Sequence, residues 1–307
     1  MRFVVCTNLQ TLNDEIVEFI KSDDVFISTS LDGPHDIHTR NRTANADLTR
    51  EFHRNLSKVT KLVGHEKVSA LPTIDIEDPP TAKELIASYE QFGFKSLYLR
   101  PVNYQGFARK SHPAARASVN WTAYYRNFIN TLIAHTARTD RVMEEFYLTH
   151  CLRRILGAGV DNHTDLRNPN IPTGANAVVD FDGLIYPSDE ARMLARIRQV
   201  DLSIGNVVDG LDQEKLALLA PGHINNFDPD CIHCPYQPFC GTDPIDDLSR
   251  SGKIDVPRQE SWFCQRHLAV FDLAFELLYS SDPAIQYTLS RWLGLEALPE
   301  ALKPVAP

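Results

Sequence analysis

Four cysteines in the C-terminal third constrain this chain more than any other feature. Cys231, Cys234 and Cys240 lie in the segment CIHCPYQPFC, and Cys264 follows in SWFCQRH after 23 intervening residues. A Cys-x-x-Cys pair lets two thiolates reach one metal centre, and four thiolates complete the coordination of a structural zinc ion or of a [4Fe–4S] cluster. The pattern therefore predicts that a short loop and a later segment meet around one site.

A disulfide framework is the competing interpretation, and the composition argues against it. The chain has 6 cysteines among 307 residues, whereas disulfide scaffolds are small, rich in cysteine and secreted. The start MRFVVCTNLQ predicts no secretory signal, and no stretch approaches the roughly 18 apolar residues of a membrane helix. A soluble protein in a reducing cytoplasm is expected, with Cys6 and Cys151 as buried small hydrophobes.

The charge and composition exclude two further classes of protein. Hydrophobic residues make up 43% of the chain and charged residues 23%, which is typical of a globular protein and not of a disordered one. The formal net charge is −9, and no dense run of Lys and Arg alternates with aromatic residues. Binding to nucleic acid is therefore not expected.

The first 140 residues alternate β-rich runs with helical patterns. Strands are predicted over residues 3–7, 25–31, 68–74 and 96–100. Helices are predicted over residues 14–21, 48–63, 81–92 and 121–138, the first of them capped by Asn13. This alternation indicates βαβ units and a parallel sheet, either barrel-like or doubly wound.

The pattern changes after about residue 138. A helix is predicted over 143–156, and AVVDF and LIYPS, joined by Asp182-Gly183, predict a β-hairpin with a type I′ turn. The cysteine loop comes next, followed by a helix over 263–279. We therefore expect two domains, residues 1–140 and 141–307.

Several segments, in this order, resemble a known enzyme family. TNLQTLNDE, STSLDGPHDIHTRNR and SLYLRPV resemble the later half of the radical S-adenosylmethionine (radical SAM) core. IPTGANAVVDFDGLIYPSDE and CIHCPYQPFC resemble the SPASM extension of peptide-modifying radical enzymes. VVCTNL, YPSDEARML and CPYQPFCGTDP are most similar to the radical maturase of the His-Xaa-Ser peptide system. The resemblance implies an α/β fold, an incomplete (β/α) TIM-type barrel with a SPASM-like iron–sulfur extension.

The chain departs from the family at the catalytic cluster. The family holds that cluster with Cys-x3-Cys-x2-Cys after the first barrel strand, and this sequence contains no such triplet. The resemblance begins at the family's third strand. It implies either a fragment or a chain whose missing half comes from a companion maturase, and it predicts no activity for the isolated chain.

A second departure concerns the auxiliary clusters. The family's ligands for one of them would fall near Thr173, Ser188 and Pro244, none of which is a cysteine. The ligand set for the other cluster corresponds to the four cysteines named above and is intact. The resemblance therefore implies one auxiliary [4Fe–4S] cluster, with structural zinc as the alternative.

The resemblance also implies roles for three further residues. Ser30 corresponds to a position that touches the nucleoside of S-adenosylmethionine, and Asn8 to one that orients a strand end at the barrel mouth. Each is also explained as an ordinary turn or loop residue. Asp189 corresponds to a proposed acceptor of a substrate proton, and the alternative for it is a helix N-cap. His35-x-x-His38 has a metal-compatible spacing but is expected to be structural.

Two hypotheses about function follow. In the first, the complete enzyme cleaves S-adenosylmethionine reductively, and the adenosyl radical abstracts hydrogen from a ribosomally made precursor peptide or protein; the cofactors supply the radical chemistry and the protein orients it. In the second, the chain is a non-catalytic module, stabilised by zinc or a cluster, that binds a peptide or a partner maturase. The missing cysteine triplet is the main support for the second.

Overall fold

The computed structural model describes residues 2–106, 109, 117–157, 166, 168 and 177–299. The chain divides into two units. Unit 1 comprises Met1–Val102, Ala123–Thr149 and Leu278–Pro307, and unit 2 comprises Asn103–Thr122 and His150–Leu277. The expected domains, residues 1–140 and 141–307, stay a prediction. Within the described part, no helix is long and apolar enough to cross a membrane.

The helices and strands are short, and their bounds are as follows. The helices are α1 (Asp14–Ile20), α2 (His35–His38), α3 (Ala46–Val63), α4 (Ala82–Gln91), α5 (Ala117–Thr139), α6 (Phe146–Leu156), α7 (Asp189–Arg196), α8 (Gln213–Leu219), α9 (Pro244–Ser251), α10 (Trp262–Leu278) and α11 (Pro283–Leu293). The strands are β1 (Phe3–Cys6), β2 (Val25–Ser30), β3 (Val68–Leu71), β4 (Thr73–Ile74), β5 (Ser96–Leu97), β6 (Arg100–Pro101), β7 (Glu144–Glu145), β8 (Val178–Val179), β9 (Leu184–Tyr186), β10 (Gly205–Asn206) and β11 (Gly210–Leu211).

Unit 1 is built on parallel strands, as the alternating pattern predicts. β1, β2 and β3 form one parallel sheet in that order. Every second residue of β2 is buried, and α3 buries Phe52, Leu56 and Val59 at helical spacing. From α4, the buried Tyr89 hydroxyl donates to the carbonyls of Leu31 (3.2 Å) and Ala70 (2.8 Å). The apolar core of unit 1 includes these faces.

The other parallel strands of unit 1 are interrupted. Residues 68–74 were expected to form one strand, but Pro72 separates β3 from β4 because proline has no N–H to donate to the ladder. β4 pairs with β6 and β5 pairs with β7, each as a separate two-stranded sheet. The sheets are therefore small, and among the described strands their hydrogen bonds do not close a barrel.

A buried carboxylate causes the second interruption. The expected strand 96–100 is divided into β5 and β6, and between them Leu99 N donates to Glu145 Oε1 at 3.1 Å. The other oxygen, Oε2, accepts from the Tyr125 hydroxyl at 2.6 Å and from Leu148 N at 2.7 Å. Glu145 also belongs to β7, a strand that the sequence analysis assigned to the helix over 143–156. It thus joins β5, α5 and the start of α6.

Unit 2 contains an antiparallel sheet in the order β11-β10-β9-β8. The predicted hairpin is confirmed, with Val178 opposite Tyr186. Its turn is not type I′, which needs positive φ at both central residues. Gly183 N donates to Asp180 O at 2.9 Å, and Gly183 (φ 84°), not Asp182, has the positive φ. Glycine tolerates this conformation because it has no Cβ.

The burial of Glu145 predicts a pH-dependent stability. Burial raises its pKa from 4.5 to about 7, against the hydrogen bonds from Tyr125 and three backbone amides, which lower it. The folded state therefore favours the protonated form. The stabilising contribution of Glu145 to the free energy of unfolding is fully present below pH 4.5 and is lost as the pH rises through about 7. The loss is at most about 3 kcal/mol.

We therefore expect Glu145→Gln to remove this part of the pH dependence. Urea unfolding at pH 5, 6, 7 and 8 would give the free energy of unfolding at each pH. The slope of this free energy against pH should differ between the wild type and the variant. Glu144→Gln is the matched control, since Glu144 is the half-buried neighbour in the same strand, and it should keep the wild-type slope. Identical slopes for the wild type and Glu145→Gln would contradict the prediction.

Candidate metal centre

The first three cysteines lie in a loop of consecutive turns between α8 and α9. Cys231 N donates to Asp228 O at 3.0 Å, Cys234 N to Cys231 O at 2.9 Å, and Cys240 N to Tyr236 O at 3.0 Å. Turns of this kind follow from the Pro- and Asp-rich sequence. They return the backbone on itself, so that three side chains project from a single short loop.

The side chain of Asn225 supports the end of this loop. Its Nδ2 donates to Cys240 O at 2.9 Å, and its Oδ1 accepts from Gln237 Nε2 at 3.0 Å. The backbone N–H of Asn225 in turn donates to Asn168 Oδ1 at 3.1 Å. Asn225 is 1% exposed, so these bonds satisfy polar groups that water does not reach.

The fourth cysteine, Cys264, lies in the first turn of α10. Its N–H donates to Ser261 Oγ at 3.1 Å, which is the bond of a helix N-cap. The N-terminal end of a helix carries partial positive charge, which favours a thiolate there. The predicted helix over 263–279 is thus confirmed as α10, one residue earlier at each end.

Aromatic side chains attach the loop to the same helix. The Tyr236 ring stacks on Phe271 at 5.5 Å and on Phe275 at 5.8 Å between centroids. Phe239 contacts the same two rings at 6.2 and 6.0 Å, and the Tyr236 hydroxyl donates to Asp272. Cys264 and the cysteine loop are therefore held together by packing that needs no metal ion.

The four thiols influence one another electrostatically. Burial raises the pKa of Cys231 to about 12 and of Cys264 to about 11, and it raises that of Cys240 further. Negative charge on the other cysteines adds to the shift: on Cys240 it comes from Cys264, Cys231 and Cys234. Such thiols stay protonated at neutral pH unless a cation stabilises their thiolates.

The arrangement fits a sulfur-ligated centre in two respects, although it is not a closed coordination sphere. Among the described residues, no three His, Cys, Asp or Glu side chains are placed as ligands of one metal ion. The donor set is nevertheless four neighbouring thiols. Thr242, two residues after Cys240, is 2% exposed, and its Oγ1 has no hydrogen-bond partner in the structure. A buried hydroxyl of this kind can donate to a cluster sulfur.

Asn8 and Ser30 lie at the same edge of the first sheet. Asn8 follows β1, is exposed, and its Oδ1 accepts from Gln10 N at 3.2 Å, as a loop Asn does. Ser30 ends β2, is half-buried, and lies opposite Leu71 of β3. Because carboxyl ends of parallel strands share one edge, the sheet brings both positions there. Their roles toward a nucleoside stay predictions.

The sequence analysis missed a buried ion pair next to Ser30. Asp32 is 1% exposed. Its carboxylate accepts from Arg42 Nε at 2.6 Å and Nη2 at 3.0 Å, and from Thr73 N at 2.9 Å. These bonds connect the end of β2 to β4. No local pattern indicates that this Asp contacts a residue 41 positions away.

The histidines near this ion pair support the structural interpretation. His38 is 3% exposed and stacks on Phe52 at 4.4 Å between ring centroids. Burial lowers its pKa to about 4, so it is neutral at pH 7. His35 Nε2 lies 3.3 Å from Ala46 O. The spacing His35-x-x-His38 therefore reflects the short helix α2.

The other candidate residues have mixed outcomes. The N-cap of α7 is Ser188, whose side chain accepts from Ala191 N; Asp189 is its first helical residue and accepts from Arg192 Nε and Nη2 at 2.9 and 2.7 Å. Pro244 begins α9, and Thr173 lies outside the described residues. Cys151 is buried as predicted. The prediction for Cys6 is wrong: Cys6 is exposed, because β1 is an edge strand of its sheet.

Comparison with known proteins identifies the fold. No family model matches the chain, and no curated protein does. Solved structures of anSMEcpe, an anaerobic sulfatase-maturating radical SAM enzyme, do match. The structure with bound AdoMet is 17% identical with a TM-score of 0.65, covering 94% of this chain and 75% of that one. The structure with AdoMet and Kp18Cys peptide is 18% identical with a TM-score of 0.64, with the same coverage.

A third structure, with AdoMet and Cp18Cys peptide, has a TM-score of 0.64 at 17% identity and covers 94% of this chain and 76% of that one. Identity at this level shows a shared fold. The fold class is therefore that of radical SAM enzyme structures, a mixed α/β architecture. The incomplete barrel and the SPASM-like extension stay predictions.

The aromatic packing leads to a prediction that does not involve metal. Phe239→Ala should loosen the cysteine loop from α10, since it removes contacts with two rings. We expect a loss of about 2 kcal/mol in stability, below that for a fully buried Phe because the side chain is half-buried. Faster amide hydrogen exchange over residues 228–242 would show the effect. Phe227→Ala is the control, because Phe227 is 89% exposed; equal exchange in both variants would contradict the prediction.

Proposed function

We propose that this chain is a radical SAM maturase of the SPASM type, or part of one, that modifies a ribosomally made peptide. The carrying observation is a fold shared with AdoMet-bound radical SAM enzymes over 94% of the chain; the aromatic packing of the cysteine loop on the helix of Cys264 supports a site at the four cysteines. The neighbours with bound Cys peptides support a peptide substrate. The sequence segments favour the maturase of the His-Xaa-Ser system, and a reducing cytoplasm is the expected location.

The four cysteines would hold one auxiliary [4Fe–4S] cluster. Ligation by Cys231, Cys234, Cys240 and Cys264 leaves no open iron site, so the bound cluster supplies structural support or electron transfer. The protein's own contribution is to hold a loop and a helix together around the half-buried cysteines. Structural zinc fits the same four thiolates, and the sulfide content distinguishes the two.

The remaining residues have narrower proposed roles. Ser30 and Asn8 would contact S-adenosylmethionine at the strand ends, where barrel enzymes place their chemistry. Asp189 would accept a substrate proton. It is half exposed and pairs with Arg192, so its carboxylate is reachable from solvent. The cysteine triplet that anchors the catalytic cluster would come from another polypeptide segment or from a companion maturase.

A second candidate function is a non-catalytic module that binds a peptide or a partner maturase. It is favoured by one observation, the lack of Cys-x3-Cys-x2-Cys in the 307 residues. In this case the metal at the four cysteines, zinc or a cluster, would only stabilise the fold. The two functions predict different outcomes for an assay of S-adenosylmethionine cleavage with a partner chain present.

The first test measures the cluster itself. Anaerobic reconstitution should give about four irons and four sulfides per chain, the content of one [4Fe–4S] cluster. Cys264→Ala should lose most of both, because it removes the one ligand outside the loop. Cys6→Ala and Cys151→Ala should keep both, since one side chain is on β1 and the other on α6. Stoichiometric zinc without sulfide would replace the cluster assignment by the zinc assignment.

The second test measures cleavage of S-adenosylmethionine. The reconstituted chain alone should form no 5′-deoxyadenosine under anaerobic reduction, because full thiolate ligation leaves no iron open to the cofactor. Adding a companion chain that carries the cysteine triplet should restore it under the maturase hypothesis. Turnover by the chain alone would show that a further cluster site exists among its residues. Continued inactivity with every candidate partner would favour the non-catalytic module.

A further inference from the structure

The two parts of the cysteine site are connected by one side chain that the sequence analysis did not single out. We propose that Arg258 is a positioning residue, which holds the cysteine loop next to the first turn of α10, where Cys264 lies. This inference concerns the chain alone and is tested without metal.

On the loop side, Arg258 binds the residues that lead into Cys231. Its Nε donates to Asp228 Oδ2 at 2.8 Å, and its backbone N–H donates to Asp230 Oδ2 at 2.8 Å. The carbonyl of Asp228 accepts from Cys231 N at 3.0 Å. Arg258 therefore holds the first turn of the loop through two bonds to carboxylates, one from its guanidinium and one from its backbone N–H.

On the helix side, the backbone of Arg258 contacts Ser261, the residue whose side chain caps α10. Its carbonyl accepts from Ser261 N at 3.0 Å, and Ser261 Oγ accepts from Cys264 N at 3.1 Å. A continuous series of hydrogen bonds thus runs from Cys231 through Asp228, Arg258 and Ser261 to Cys264. The two cysteines, which are far apart in the sequence, become neighbours through this series.

A third contact makes the position of the guanidinium specific. Nη1 donates to Asp247 Oδ2 of α9 at 3.0 Å, where the Asp247 side chain is 2% exposed and that of Arg258 12%. Binding two carboxylates from separate segments uses the planar fork of arginine, which a lysine ammonium does not reproduce. Loss of such a buried partner is costly because it leaves unpaired carboxylates.

The test of positioning uses apo protein in which Cys6, Cys151, Cys234 and Cys240 are replaced by serine. Diamide oxidises the Cys231 and Cys264 thiols to a disulfide, taking up their two electrons and two protons, and the rate reports how often the thiols meet. Arg258→Gln should slow the reaction about tenfold, the effect of one charge-assisted hydrogen bond. Arg196→Gln is the matched control: its side chain also pairs with two carboxylates, those of Asp180 and Asp182 in the β8–β9 hairpin. It should keep the wild-type rate.

Asp228→Asn provides a second variant in case Arg258→Gln unfolds, which circular dichroism would show. It weakens the bond on the loop side alone and should also slow the disulfide. Arg258→Lys keeps the charge but not the planar fork, so it should also slow disulfide formation in the apo background.

The outcomes distinguish this inference from the proposed function. Equal disulfide rates for Arg258→Gln, Asp228→Asn and Arg196→Gln would overturn the positioning role even if the wild type binds a cluster. If the wild type binds no cluster but Arg258→Gln and Asp228→Asn both form the disulfide more slowly, the cluster would be refuted and the positioning role would be supported.

Discussion

The packing of the cysteine loop on α10 is the interaction on which the proposed site depends. Tyr236 and Phe239 place the loop on two rings, Phe271 and Phe275, of the helix whose first turn carries Cys264. This contact holds the loop, which carries three of the thiols, against the helix that carries the fourth. Since apolar packing is independent of metal, it orders the loop in the apo chain, and a bound metal would need to supply less of that ordering.

Buried charged groups have a similar organising role in both units. In unit 1, Asp32 and Glu145 accept backbone N–H groups at the places where strands are interrupted. In unit 2, Arg258 and Asp247 connect the loop to α9. Each of these side chains is bound by several partners, as buried charges must be. Their removal would therefore disturb segments that are distant in the sequence, and not only one local contact.

The sequence predicted the order and type of most elements but not their continuity. The strand over 68–74 was foreseen, and its division at Pro72 was not, although proline is a known interruption. The division of 96–100 had no local signal, because it results from a glutamate 46 residues away. For the site, the sequence predicted the cysteine loop and the helix that carries Cys264. Arg258 was not predicted, because no residue type or spacing in VPRQE indicates its contacts.

What the sequence determined by itself are the features set by local chemistry. These are the helices with their caps, the hairpin around Gly183, the parallel strands of unit 1, and the sequence spacing of the four cysteines, which is typical of metal ligands. The tertiary structure alone decided which side chains meet across long separations: Asp32 with Arg42 and Thr73, Glu145 with Leu99, and Arg258 with Asp228. Local periodicity and propensity depend on a few neighbouring residues, whereas these pairs depend on how distant segments pack, and no short window of sequence encodes that.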